Sequence, residues 1–258
     1  MTPLREHAPP AIALLGLGEA GSALAGDLVA RGAEVHGYDP DPARRPDGVL
    51  RCETIAGAVR AAGVVLSVNA QAVAVRVARE AAPALAPGAL FADLNTTSAA
   101  VKAEAAAAVS PVAFVDVALL GPVPPTGLAT PCLASGEGAE RFAEVFGAFD
   151  MPVEIVAGGP GAASMRKLVR SVFMKGLGAA VVESLAAAEA AGCEPWLRQE
   201  IAAVLAAGEP FVTRLVEGSR QHATRRIDEM EAAAALEREL GLEPHVAGAA
   251  VSVLRGLT

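Results

Sequence analysis

The sequence predicts an α/β domain built on a largely parallel sheet, followed by an all-α domain joined to it by a long helix. Three observations carry that expectation. Short apolar runs alternate with Ala-rich amphipathic stretches over residues 11–156, the pattern of strands and covering helices in a parallel sheet. The alternation stops at Gly158-Gly159-Pro160-Gly161, and no convincing strand follows. From 161 to 191 a helical stretch then runs unbroken until Gly192, a residue suited to a helix end. The expected domains are 1–160 and 161–258.

Taken in order, the predicted strands are 11–15, 33–38, 64–68, 89–94, 112–119, 131–135 and 152–156. The predicted helices between them are 19–31, 54–62, 70–82, 98–109 and 138–148. The last two strands extend the sheet beyond a nucleotide-binding core. In the second domain Pro195, Glu209-Pro210, Gly218-Ser219, Gly241 and Pro244 punctuate further helices. The stretch 176–191 is apolar enough that burial nearly all round is expected.

Composition narrows the function. Of 258 residues 53% are hydrophobic but only 3% aromatic, so the cores must be packed from Ala, Val and Leu. The net charge of -8 argues against nonspecific nucleic-acid binding, which needs a basic face. Cys52, Cys132 and Cys193 are far apart and form no CxxC, which fits a reducing compartment. His7, His36, His222 and His245 make no metal-ligand spacing, so no metal is expected. No run of about 18 residues is both apolar and uncharged; the most apolar one contains Glu183 and Glu189. The start, MTPLREHAPP, lacks the apolar segment of a signal peptide. A cytoplasmic protein without membrane or nucleic-acid partners is expected.

The chemistry-bearing motif is GLGEAG at 16–21, with Gly16, Gly18 and Gly21 in a GxGxxG frame. Alone that pattern is weak. Here the strand AIALL precedes it, a helix follows, and a second strand ends in Asp39, 18 residues past Gly21. This is the layout of a Rossmann dinucleotide site. Gly16 permits the tight turn, Gly18 admits the pyrophosphate to the backbone, and Gly21 lets helix and strand pack closely. Leu17, Glu19 and Ala20 complete the loop, whose free N–H groups face the phosphates. Asp39 accepts from the adenosine ribose hydroxyls and favours NAD over NADP, because it would repel a 2′-phosphate. Arg44 and Arg45 lie just beyond it and are candidates for binding such a phosphate. Ser67, Val68 and Asn69 end one strand, and Asn95, Thr96 and Thr97 follow another. Strand ends of this kind face the cofactor, although Thr97 or Ser98 also suits a helix N-cap.

These motifs, followed by DLNTTS (93–98), GPVPPTG (121–127) and a Lys-bearing long helix, resemble the β-hydroxyacid dehydrogenase superfamily. That group includes 3-hydroxyisobutyrate and 6-phosphogluconate dehydrogenases, with imine reductases as relatives. TPCLASG (130–136), GAASMRK (161–167) and HATRRIDEM (222–230) are similar to its phosphogluconate dehydrogenase-like branch. The resemblance implies an NAD(P)-dependent oxidoreductase and a catalytic lysine, Lys167, on the interdomain helix. Lys167 would exchange a proton with the substrate while hydride passes to or from nicotinamide. A small polar substrate and a homodimer formed through the helical domain are also implied, with the active site completed between domains or subunits.

Three departures stand out. The asparagine one turn after the lysine is Ser171. The Ser-Gly-Gly loop that offers N–H groups to a substrate carboxylate reads Pro124-Pro125-Thr126, and proline has no N–H. A cofactor-facing Lys-Asp pair is replaced by Asp228-Glu229. Lys167, Ser171 and Lys175 recur every four residues on one helical face. His222, Arg225, Arg226 and Glu229 follow helical spacing as well, and read either as a substrate-anion site or as a solvated face with an internal Arg–Glu pair. Pro124, Thr126, Lys175, His222, Arg225 and Arg226 are the substrate-site candidates. An imine reductase-like enzyme acting on C=N is one alternative, and a non-catalytic dinucleotide sensor or scaffold is another.

Overall fold

The computed structural model describes residues 10–258, apart from the side chain of Glu209; the readings that fall on residues 1–9, including His7, lie outside them. The sheet has eight strands: β1 (Ile12–Leu15), β2 (Val35–Tyr38), β3 (Leu50–Arg51), β4 (Val64–Ser67), β5 (Leu90–Asp93), β6 (Ala113–Leu119), β7 (Cys132–Ser135) and β8 (Val153–Ile155). They run in the order β3-β2-β1-β4-β5-β6-β7-β8. All neighbours are parallel except β6 and β7. The order reverses direction between β1 and β4, and in such a sheet the crevice beyond the strand ends at that point binds the ligand.

The helices of this unit are α1 (Glu19–Ala30), α2 (Ile55–Val59), α3 (Ala74–Ala81), α4 (Ala99–Val109), α5 (Val123–Thr126) and α6 (Ala139–Gly147). Strand alternation sorts them onto two faces. Ile12 and Leu14 of β1 pack with Leu24 and Leu28 of α1 and with Phe142 and Phe146 of α6. Ala13 and Leu15 face the other way, onto α2, α3 and α4. The predicted strands all form. The two-residue β3 and the single helical turn α5 carry too little periodicity to be read from sequence. Ser98, not Thr97, caps α4, accepting a bond from the Val101 N–H.

α7 (Ala162–Ala190) is a single helix, and the chain divides into two compact units after Arg170, inside it. The second unit continues with α8 (Glu194–Leu205), α9 (Gly208–Gln221), α10 (Ala223–Glu239) and α11 (His245–Arg255). α10 and α11 pack through Ala234, Val251 and Leu254, all buried.

Here one expectation is corrected. The 176–191 stretch is not buried nearly all round: Val182 is 71% exposed and only Ala188 is fully buried. One chain supplies too few neighbours to cover so apolar a helix. By length and composition α7 alone among the described residues is long and apolar enough to cross a membrane, and its apolar half carries Glu183 and Glu189. Inside this unit, however, the Glu183 carboxylate on α7 accepts the Val246 and Ala247 N–H groups at the start of α11. Burial raises the pKa of that carboxyl, but those bonds and the His245 charge outweigh it and hold the pKa below its ordinary value.

Candidate dinucleotide site

A cavity of about 560 Å³ lies beyond the carboxyl ends of β1, β2 and β4. Its floor is the loop between β1 and α1. Gly16 sits at φ +108, and a Cβ there would collide with the Val68 carbonyl oxygen. A Cβ on Gly21 would strike the Gly16 carbonyl. Only glycine lets the chain turn this tightly, and the turn aims the first N–H groups of α1 into the cavity. Those groups have no partners within their helix, and they form an anion site reinforced by the helix dipole.

Asp39, at the end of β2, is buried with a cavity-facing edge. Its Oδ2 accepts the Leu17 N–H at 2.7 Å and its Oδ1 accepts the Asp41 N–H at 2.9 Å. The carboxylate thus ties the glycine loop to β2 and keeps lone pairs for a ribose. Arg44 lies over the loop, 3.3 Å from Asp39 Oδ2 and 3.5 Å from Asp41. Arg45 turns away and donates to the Pro42 carbonyl.

Of the residues read as cofactor-binding, Gly16, Gly18, Glu19, Ala20, Asp39, Val68 and Asn69 line this cavity. Leu17, Ser67 and Thr96 do not. Leu17 contributes its N–H to Asp39 while its side chain is buried. Ser67 accepts from the Asn69 and Asn95 amides. Tyr38, Ile55, Val73 and Arg76 line the cavity as well; nothing in the sequence marks a lone apolar residue as a wall.

The substrate candidates are dispersed. Lys167 and Ser171 are half-buried and Lys175 is exposed along α7. Pro124 and Thr126 form α5, where the Thr126 hydroxyl donates to the Pro122 carbonyl at 2.7 Å; neither lines the dinucleotide cavity. His222 is the junction between α9 and α10, so of the four residues with helical spacing Arg225, Arg226 and Glu229 lie within α10 and His222 immediately precedes it. Arg226 donates to the Ser219 hydroxyl at 2.7 Å, and Arg225 lies 3.6 Å from Glu229. His222 and Arg226 line one shallow cavity, and Arg225 and Arg226 another.

Sequence reading missed a fully buried charged cluster. The Lys102 ammonium on α4 lies 2.9 Å from Asp116 Oδ1 and 3.3 Å from Asp93 Oδ2, and donates to the Asp93 carbonyl. Burial raises the Asp93 pKa, against the Lys102 charge and the Asn95 hydrogen bonds, which lower it. A lysine in an Ala-rich helix reads as solvent-facing, so only Asp93 at the end of β5 and Asp116 within the apolar run of β6 hinted at this cluster.

The cleft at the switch of strand order and the glycine loop define an NAD(P)-binding, dehydrogenase-like protein. Comparison with known proteins makes this more specific. Residues 11–150 match the NAD binding domain of 6-phosphogluconate dehydrogenase, and residues 188–257 match a domain of unknown function, DUF1932. The chain belongs to the β-hydroxyacid dehydrogenase superfamily, in its 3-hydroxyisobutyrate and 6-phosphogluconate dehydrogenase-like group. It is 32% identical to a conserved hypothetical protein from Sinorhizobium meliloti 1021, over 97% of this chain and 89% of that one, with a TM-score of 0.63. A conserved protein of unknown function, described as structurally similar to 3-hydroxyacid dehydrogenases, is 27% identical over 95% of this chain and 96% of that one, TM-score 0.63. A reductive aminase from Aspergillus terreus, in complex with NADPH and ethyl-5-oxohexanoate, shares the fold at 18% identity, 96% and 93% coverage and a TM-score of 0.81. A search of curated proteins finds no match.

Proposed function

We propose that this protein is an NAD(P)-dependent oxidoreductase acting on a small polar hydroxy acid or carbonyl compound, with Lys167 as general acid/base. The observation that carries the reading is the dinucleotide cavity, where the α1 N-terminus, Asp39 and Asn69 meet. A bound nicotinamide dinucleotide would supply the hydride acceptor or donor. The loop N–H groups would hold its pyrophosphate and Asp39 its ribose hydroxyls. Lys167 would take or give a proton at the substrate oxygen, its helix reaching it from the Gly158–Gly161 turn. Ser171, one turn on, can donate one hydrogen bond where an amide would both donate and accept.

NAD is the favoured cofactor. Arg44, the cation nearest the ribose end, already lies beside the carboxylates of Asp39 and Asp41. A 2′-phosphate would meet those two negative charges before it gained the positive one. Reduction of C=N is the second reading, favoured by Pro124 and Pro125, which remove the N–H donors a carboxylate needs. A non-catalytic sensor remains the third. Arg225 and Arg226 serve as the anion grip for substrate in this reading, released from Glu229 and Ser219. The exposed apolar side chains of the helical unit support a homodimer closed through it. The three free thiols suit a cytoplasmic location.

Calorimetric titration with NADH and NADPH tests the reading. Asp39→Ala is expected to weaken NADH at least about tenfold, because a charge-assisted hydrogen bond contributes roughly 1.5–3 kcal/mol, while NADPH changes less. Equal loss for both cofactors would remove the NAD preference, and no binding by the unaltered protein would end the dinucleotide reading. Lys167→Ala then separates enzyme from sensor: turnover should vanish with cofactor affinity intact.

A further inference from the structure

The buried Lys102 cluster lies within a continuous polar chain that starts at the dinucleotide cavity. Asn69, in the cavity wall, donates its N–H to Asn95 Oδ1 at 2.7 Å. The Asn95 amide donates back to Asn69 Oδ1 and on to Asp93 Oδ1. Lys102 Nζ donates to the Asp93 carbonyl at 2.8 Å and reaches Asp116 Oδ1 at 2.9 Å. Asp116 Oδ1 also accepts the Ser164 hydroxyl at 2.6 Å. Its Oδ2 accepts the N–H groups of Gly161 at 3.1 Å and Ser164 at 2.9 Å. Ser164 is in the first turn of α7, and Lys167 follows three residues later, on the adjoining turn.

Every link is buried or half-buried, and the ammonium has no exposed surface. Such a triad is a costly way to fill space, since burying three charges opposes folding and apolar residues of equal volume would pack as well or better. What it adds is direction. Asp116 accepts the Gly161 and Ser164 amides where α7 begins, and Ser135 Oγ accepts the Ala163 amide between them, at the helix end where a negative charge is favoured. Lys102 offsets the repulsion between the carboxylates of Asp93 and Asp116, and fixes the end of β5 to the middle of β6.

We propose that Lys102 is a positioning residue for Lys167: it clamps Asp93 to Asp116, and Asp116 holds the first turn of α7 in register with the strand ends at the dinucleotide cavity. The functional weight of this device rests on Lys167 being the proton-transfer group. Its existence can be tested in the protein without cofactor or substrate.

The chain has only three lysines, Lys102, Lys167 and Lys175. Reductive 13C-methylation leaves the buried Lys102 unmodified and labels the other two and the N-terminal amine. Loss of one signal in Lys167→Ala assigns Lys167, and Lys175 serves as an internal reference. Ser164→Ala is expected to move the Lys167 signal by more than its linewidth and leave Lys175 in place, and Ser164→Thr should restore it. Asp93→Asn, isosteric and remote from α7, should move it in the same direction through Lys102, as should Lys102→Met where it folds by circular dichroism. If Ser164→Ala and Asp93→Asn lower the melting temperature but leave the Lys167 signal in place, the cluster only stabilises and the proposal is overturned. Turnover retained in Lys167→Ala would instead count against the acid/base reading and leave this result standing.

Discussion

The two units of this chain treat burial in opposite ways. In the α/β unit charged groups go inside and find partners: Lys102, Asp93, Asp116 and Ser164 form one bonded cluster, and Asp39 is held by two backbone amides. In the helical unit apolar groups stay outside: Val172 is 78% exposed, Phe173 63% and Trp196 60%. Glu237, buried there, has an oxygen with no partner among the described residues. The α/β unit has buried atoms without a hydrogen-bond partner among the described residues too, Arg51 Nε, Asp93 Oδ2 and Thr97 Oγ1, so the contrast between the units lies in their exposed apolar surface. The helical unit leaves a wide apolar surface uncovered, and a homodimer closed through it is the proposal that would cover that surface.

The largest expected effect strikes the α/β unit at its tightest point. Gly16→Ala places a methyl group against the Val68 carbonyl oxygen at a φ that L-residues avoid. Strain of about 1–3 kcal/mol plus the displaced loop should reduce dinucleotide affinity on the order of 100-fold or more, read by calorimetry. Gly26→Ala on α1 is the control: nothing lies near its added Cβ, so affinity should hold and stability should rise by up to about 1 kcal/mol. Equal behaviour of the two variants would remove the cradle from the account.

Next comes the helical unit. Phe173→Glu puts a charge into the exposed apolar face of α7. If that face is an interface, about 2 kcal/mol or more of association is lost, more than tenfold in dissociation constant. Sedimentation velocity should then show a shift from dimer to monomer. The sheet domain should still bind dinucleotide. A monomer before the substitution, with no change after it, would break the contrast between the units.

How far the sequence was legible follows the same line. β1, α1, β2 and the glycine loop could be read because their local patterns and their packing agree: the alternation of Ile12 to Leu15 matches the two faces on which those residues lie. The site residues that line the cavity are those whose backbone or strand end makes it. Lys102 was missed because its fate depends on Asp93 and Asp116, which flank its helix in sequence and meet it only when β5 and β6 pair and α4 packs over them. α7 was misread for the converse reason: its apolar composition states that it needs cover, not that its own chain provides it. His222 fits a helical face by spacing, yet the chain breaks there because α9 and α10 are separate helices.

The smallest effect probes what covers the helical unit. Burial raises the Glu237 pKa, the charge of Glu183 raises it further, and Arg238 only partly opposes them. A carboxyl raised in the folded state binds its proton more tightly there than in the unfolded chain. Its contribution to stability is therefore full below the ordinary carboxylate range and is lost as pH rises through the folded value. Glu237→Gln removes that loss. Measured in the monomeric Phe173→Glu background, it should raise the melting temperature at pH 7 and change it little near pH 4. In the assembled protein the sign becomes informative. A second copy that brings a cation to the unpartnered oxygen would turn the gain into a loss, since removing one partner of a buried pair strands the other. A gain in both backgrounds would mean that an interface on this unit leaves Glu237 without a partner.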